Sequence, residues 1–463
     1  MTKRNTLENT AGRTQCRGTA LIGLHGVRRR ARKDKKECFT ALLHHITIDL
    51  LEQSFRQLER KAASGIDKMT WSEYEENLIK LLPELLEKVH SGKYRALPAR
   101  RVYIMKEDGR KRALGILAIE DKIVQQAVRT IMNQIYETDF VNFSYGFREG
   151  RSQKDALDAL HVGITRRKIN WVLDADIQGF FDNINHEWLM KFIQKRIGDK
   201  RIQRMISKWL KTGHIENGKR VKQEVGTPQG SVISPLLSNI FLHYVFDQWI
   251  NQWRKTVAKG DVIVVRFADD FVVGFQHLSE AQRFVKDLEE RLKKFGLNLH
   301  PEKTRLIEFG RYAEERRREH NEGKPETFTF LGLTHSCSKN SKGYFVIRRK
   351  TSRKKFKKKM REVKMELKRR MHEKISETAL WVRSVIVGHC NYYAVPGNMK
   401  AVKEFYTQVI RAWLRIIRKR SQKGRNFTWE RFRRKIEEVI PRPRLKQTYP
   451  NVRFDAALKV RAG

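Results

Sequence analysis

Residues 262–275 read VIVVRFADDFVVGF. Valine, isoleucine and phenylalanine dominate both flanks, which predicts two buried strands joined by a tight turn. The turn carries two adjacent carboxylates, Asp269 and Asp270. Alone, acids at a hairpin tip read as solvated turn residues. A third carboxylate changes that reading: Asp176 closes another apolar strand, WVLDAD at 171–176, 93 positions before Asp269. Two such strands side by side would bring the three acids together, and clustered carboxylates cannot all stay ionised without cations. Hard oxygen ligands and phosphate chemistry select Mg2+. Two ions about 3.5–4 Å apart activate an attacking hydroxyl and stabilise a leaving pyrophosphate. The stretch is therefore read as half of a metal cradle.

The rest of the chain calls for a polyanionic partner. Its 463 residues include 97 Lys+Arg against 52 Asp+Glu, a formal charge of +45. That much positive charge repels itself unless nucleic acid or an anionic membrane neutralises it. No apolar run approaches the ~18 residues of a membrane span, and TALIGLHGV near the N-terminus is too weak for a secretory signal. Hydrophobic residues at 40% predict a globular protein with a sizeable core. Cys16, Cys38, Cys337 and Cys390 form no CxxC pair, which suits a reducing cytosol. His335 near Cys337 and His389 beside Cys390 have the wrong spacing for a zinc ribbon and read as buried residues.

Outward from the hairpin, residues 1–36 are polar and basic, ending in RRRARKDKK, and read as an arm that orders on its partner. RVYIMKEDGRKRALGI (101–116) reads as a β-hairpin with Asp108-Gly109 at its turn. IEDKIVQQAVRTIMNQIYE follows as a helix. After the loop GTPQG, Ser234-Pro235 predicts a helix start with serine as N-cap and proline at N1. In SEAQRFVKDLEERLKKFG, Ser279 and Gln282 suit a capping box and Gly296 a C-cap. Residues 310–326 read as a charged loop. Composition changes after about residue 345: between Arg348 and Arg370 there are 14 Lys/Arg and 2 Glu on a helical pattern.

In order, the basic hairpin, the D-x(4)-F of Asp176 and Phe181, GTPQG with its helix, FADD, LNLHPEKT and FTFLGL resemble the successive motifs of reverse transcriptases. NFSYGFREGRSQKDAL and GTPQGSVISPLLSNIFL resemble the group II intron-encoded branch, and WVRSVIVGHCNYYAVPGN is similar to that branch's maturase (thumb) domain. Two positions depart from the family: Phe267 stands for the usual tyrosine of YADD, which removes no metal ligand, and His389 stands where tryptophan is common. The resemblance implies an α+β fold, a right-hand polymerase with fingers and palm at 41–335 and an all-α basic thumb/maturase domain at 336–423. A basic N-terminal arm (1–40) and a short basic DNA-contacting tail (424–463) flank them.

The resemblance also assigns roles. Asp176, Asp269 and Asp270 would ligate two Mg2+ ions. Lys303, in HPEKT, would protonate the leaving pyrophosphate, with an ordinary surface lysine as the alternative. Phe181 matches an aromatic steric gate that selects dNTPs by excluding a 2′-hydroxyl; plain core is the alternative. Lys106 and Arg112 would neutralise the triphosphate, and Gln229 and Gly230 would close over the incoming nucleotide. FLG at 330–332 resembles the primer grip. Lys354, Lys355, Lys357, Lys358, Lys359 and Arg361 read as an RNA-backbone groove, whereas Tyr392, Tyr393 and Trp413 read as core before base-stacking residues. The implied protein is an RNA-dependent DNA polymerase of the bacterial cytoplasm that binds its group II intron RNA, target DNA and dNTPs, but no membrane. It would also assist splicing. A splicing-only maturase and a domesticated or retron-type reverse transcriptase are the alternatives. Nothing after Arg425 resembles the HNH endonuclease of many relatives, so second-strand cleavage is not expected and the primer would come from elsewhere.

Overall fold

Alternating apolar positions become eleven strands among the described residues: β1 (Ala99–Met105), β2 (Lys111–Ile116), β3 (Trp171–Asp176), β4 (His214–Glu216), β5 (Lys219–Val221), β6 (Val262–Phe267), β7 (Asp270–Phe275), β8 (Arg305–Glu308), β9 (Phe328–Phe330), β10 (Leu333–Lys339) and β11 (Phe345–Thr351). The computed structural model describes residues 23–105, 111–216, 218–420, 427–445 and 447–462, without the side chains of Arg112 and of 459–462. Lys106 and the Asp108-Gly109 turn lie outside the described residues. The chain divides into two compact units.

The first unit comprises residues 1–151, 177–257 and 286–300. It holds the sheet β2-β1-β4-β5, in which β1 and β2 form the expected antiparallel hairpin from Arg100↔Ile116 to Met105↔Lys111. The helix Ile119–Asp139 runs through its core, with Ile123, Val124, Ala127, Val128, Ile131 and Ile135 all buried. Each of the valines and isoleucines contributes roughly 1.5–3 kcal/mol by leaving water. Residues 23–33 form a helix with Leu24, Val27 and Ala31 buried, so this part of the basic stretch is not the free arm expected from its charge. Spacing of three and four puts those apolar residues on one face. The buried Arg196 guanidinium donates to the carbonyls of Ala31, Asp34 and Glu37 and pairs with Asp139 at 2.9 Å, which satisfies the helix's C-terminal end.

The second unit comprises residues 152–176, 258–285 and 301–463. Its sheet has the order β6-β7-β3-β8, all neighbours antiparallel. The helix Gln153–Arg166 lies on this sheet, with Gly163 facing Ile263 where a Cβ would sit 2.9 Å from the isoleucine methyl. The sheet β11-β10-β9 follows. β11 corrects the expectation of helix throughout the region after 345: Ile347, Arg349 and Thr351 alternate inward, and the lysines and arginines between them hid the period. Helices then pack around Met360, Val363, Val382, Ile386, Phe405, Val409 and Trp413. The expected short tail also adds to this core, because the helix Trp429–Glu437 buries Phe432 and Ile436 in it. The terminal helix Pro450–Ala462 is tied to Gln153–Arg166 by Arg166–Asp455 at 2.8 Å and Arg453–Asp158 at 2.9 Å.

Three local expectations shift. The helix Ser234–Leu242 has Ile233 as N-cap, and the Ser234 hydroxyl donates to the Pro228 carbonyl instead of capping. The helix Leu278–Lys293 begins one residue before Ser279, which rules out its capping box, while Gly296 does take the left-handed conformation after the helix. The charged stretch 310–326 contains a helix, Ala313–Glu319.

Candidate active site

Register builds the acidic centre. β3 pairs with β7 so that Asp176 stands directly opposite Asp270, and β6 hands the chain to β7 through Ala268 and Asp269. Ala268 adopts φ +58, a conformation that costs an alanine energy. The buried Arg266 side chain ties this turn down by donating to the Ala268 carbonyl at 2.9 Å. The register therefore sets Asp270 against the end of β3 with Asp269 next to it, both half-buried.

A fourth carboxylate belongs to the cluster. Asp174 precedes Asp176 by two positions and so shares its face of β3; Arg305 of β8 lies 3.6 Å away. Burial raises the Asp174 pKa to about 6, against the nearby Arg305 guanidinium. Asp270 feels the crowding most: burial, then the charges of Asp174, Asp269 and Asp176, push its pKa up to about 8, with Lys355 opposing. The Lys303 ammonium is hydrogen-bonded to an Asp176 carboxylate oxygen. Among the described residues no three acidic, histidine or cysteine side chains stand in a metal-binding arrangement, and Lys303 occupies one oxygen that such an arrangement would use. The donor set is nevertheless all oxygen and partly buried, with four carboxylates against the cations Lys303, Arg305 and Lys355, which fits hard divalent cations.

Beside the cluster, the FLG turn between β9 and β10 places Leu331 at φ +48 and Gly332 at φ +77. The Leu331 carbonyl accepts from Gln153 Nε2 at 3.2 Å and from the Tyr392 hydroxyl at 3.3 Å. Sequence reasoning missed Asp174, Gln153 and this use of Tyr392. The DAD alternation was the available signal for Asp174; the other two depend on long-range packing.

The nucleotide-binding candidates lie in the first unit. Phe181, half-buried, meets the buried Phe180 edge-on at 5.4 Å. Its carbonyl accepts from Thr227 N at 2.7 Å, which joins the D-x(4)-F segment to the GTPQG loop. Gln229 donates to Asp182 at 2.9 Å, and its carbonyl accepts from Gly115 N of β2 at 2.6 Å. Gly230 has φ +107, and a Cβ there would lie 2.5 Å from the Gly115 carbonyl oxygen, so the loop lies against the hairpin only as glycine. Arg112 stands opposite Ile104 in that hairpin.

The helix Arg353–Arg369 carries the basic candidates. Lys354, Lys357, Lys359 and Arg361 are exposed, and Met360, Val363 and Leu367 face the core. Lys358 and Lys359 both approach Glu362, at 4.0 and 3.4 Å. Lys355 differs from the others: it reaches the Gly332 turn and is felt by Asp270. Trp413 is core; Tyr392 keeps an exposed edge. His335 stacks on Phe328 at 4.8 Å, and His389 stacks on Phe405 at 3.7 Å.

A family model for reverse transcriptase (RNA-dependent DNA polymerase) matches residues 104–335. Protein YkfC of Escherichia coli (strain K12) is 34% identical over 276 residues, covering 52% of this chain and 71% of that protein. The group II intron-encoded protein LtrA of Lactococcus lactis subsp. cremoris is 36% identical over 236 residues, 50% of this chain and 38% of that one. A 91 kDa protein in the cob intron of Schizosaccharomyces pombe is 26% identical over 389 residues, 69% of this chain and 46% of that one. The matches thus span less than half the length of the latter two relatives. Among the described residues, no helix is long and apolar enough to cross a membrane.

Proposed function

The chain belongs to the reverse transcriptase family of RNA-directed DNA polymerases, and from that premise we propose that it copies a group II intron RNA into DNA while also binding that RNA and assisting its splicing. The observation that carries the polymerase half is the pairing of Asp176 with Asp270 beside Asp269. Asp176, Asp269 and Asp270 would hold two Mg2+ ions, which when bound would activate the primer hydroxyl and neutralise the leaving pyrophosphate. Lys303, hydrogen-bonded to Asp176, would supply the proton that the leaving pyrophosphate takes. Arg305 pairs with Asp174, the fourth acid of the cluster, at 3.6 Å. Phe181 would exclude a 2′-hydroxyl, Gln229 and Gly230 would close over the nucleotide, and Lys106 and Arg112 would meet its triphosphate.

The maturase half rests on the exposed cations of Arg353–Arg369 and on the intron-encoded protein LtrA among the relatives. Lys354, Lys357, Lys359 and Arg361 would track the RNA backbone, with Lys358 partly engaged by Glu362. Retrohoming into a DNA target, with the cDNA primed there, follows from the same reading. Primer extension on an RNA template tests it: dNTPs should be incorporated and rNTPs refused, and Phe181→Ala should admit rNTPs. Equal use of rNTPs by wild type would remove the gate and the DNA product with it.

A further inference from the structure

A cavity of about 630 Å3 lies within the second unit, outside the acidic cluster. Its volume falls in the roughly 300–1,000 Å3 range of small-ligand sites. Ile386 and Val387, on the helix Ile375–Tyr393, form one apolar wall, and Pro441 and Pro443 form part of the lining contributed by the segment after Trp429–Glu437. Lys154, Arg442 and Arg444 bring positive charge to the same lining.

That charge is poorly compensated. Glu437, the acid on the wall, is engaged by Arg433 at 2.8 Å and by Arg442. Among the described residues, the side chains of Lys154 and Arg444 have no ion pair or hydrogen bond. Lys154 is half-buried; burial and then the neighbouring Arg453 pull its pKa down, against Asp158 and Asp155. Lys154 and Arg444, two cations without ion pairs of their own on one lining, favour an anion. The lining amide of Asn391 likewise lacks a partner among the described residues, and it can both donate and accept.

A ligand with an anion, an apolar body and a hydrogen-bonding edge matches this lining. An acidic side chain supplies only the first, and a duplex keeps its bases stacked inside. We propose that this cavity binds one unstacked nucleotide of a single-stranded nucleic acid, its phosphate at Lys154 and Arg444 and its base between Val387 and the two prolines. The proposal rests on the family's use of nucleic acid, but not on the acidic centre being the polymerase site.

Short uridine-rich RNA and thymidine-rich DNA oligonucleotides carrying a photoreactive thio-base are the probes. Crosslinks to the full-length protein should map to residues 386–394, 441–445 or 447. Lys154→Gln with Arg444→Gln, which leaves the core intact, should weaken binding by about fivefold or more and reduce its salt dependence. Val387→Trp, which fills the slot but keeps the cations, should abolish the crosslink. Tighter binding of the RNA probe assigns the site to transcript, and tighter binding of the DNA probe assigns it to the target strand. Crosslinks elsewhere, variants binding within about twofold of wild type, or stronger competition by polyglutamate than by oligonucleotide would overturn the proposal. Extension of a pre-annealed primer, measured in parallel, reports separately on the polymerase reading.

Discussion

The sheet that carries Asp176 and Asp270 and the helix Arg353–Arg369 each crowd charges of one sign, and they hold them in opposite ways. In the sheet, hydrogen-bond register sets which acid faces which, burial magnifies their repulsion, and Asp270 is driven up to about 8. On the helix, the cations stand in water and are separately screened. The first arrangement depends on individual residues; the second depends on a sum. Polymerisation and RNA binding should therefore respond differently to mutation.

Asp269→Ala breaks the comparison most sharply. It should lower primer extension by at least about a thousandfold, the scale of several kcal/mol of lost charge stabilisation, while splicing assistance stays largely intact. Equal loss of both would mean the two functions share one site. On the other side, reversing Lys354, Lys357 and Arg361 to glutamate together should weaken intron binding and flatten the log–log salt slope by about 2–3, roughly 0.7–0.9 per phosphate contact. Reversing one alone should remove about a third of that. An unchanged slope would take this helix out of the RNA interface.

A smaller effect sharpens the contrast between buried and exposed charge. Burial, then Lys359, lowers the His389 pKa to about 4, below its ordinary 6.5. The folded chain therefore binds fewer protons than the unfolded one between these values, so stability is complete above about 6.5 and falls as the pH drops toward 4. His389→Phe, which keeps a ring against Phe405, should make the acid limb shallower by up to about 1.4 kcal/mol per pH unit. Denaturant unfolding at a series of pH values reads this directly; parallel acid limbs would show that His389 titrates alike in both states.

Much of the fold was legible because its signals are local. The ADD hairpin, the β1–β2 hairpin, the helix Ile119–Asp139 and the lysine-rich helix follow from period and turn chemistry. What escaped depends on partners distant in sequence. Residues 23–33 look like a basic arm until Arg196 gathers the carbonyls at their end. β11 carries three consecutive cations, Arg348, Arg349 and Lys350, and buries the middle one against Asp158 at 3.3 Å, a pairing no pattern announces. At the candidate site, the three acids were readable as strand ends, whereas the tie between Tyr392 and Leu331 needed the fold.

The most direct test of the central claim is binding of Mn2+, as a paramagnetic stand-in for Mg2+, by the free protein. Wild type should immobilise the ion, and Asp176→Asn and Asp270→Asn should each lose most of that signal while retaining the wild-type melting temperature. Undiminished Mn2+ binding by both variants would contradict the assignment of these acids as the metal cradle.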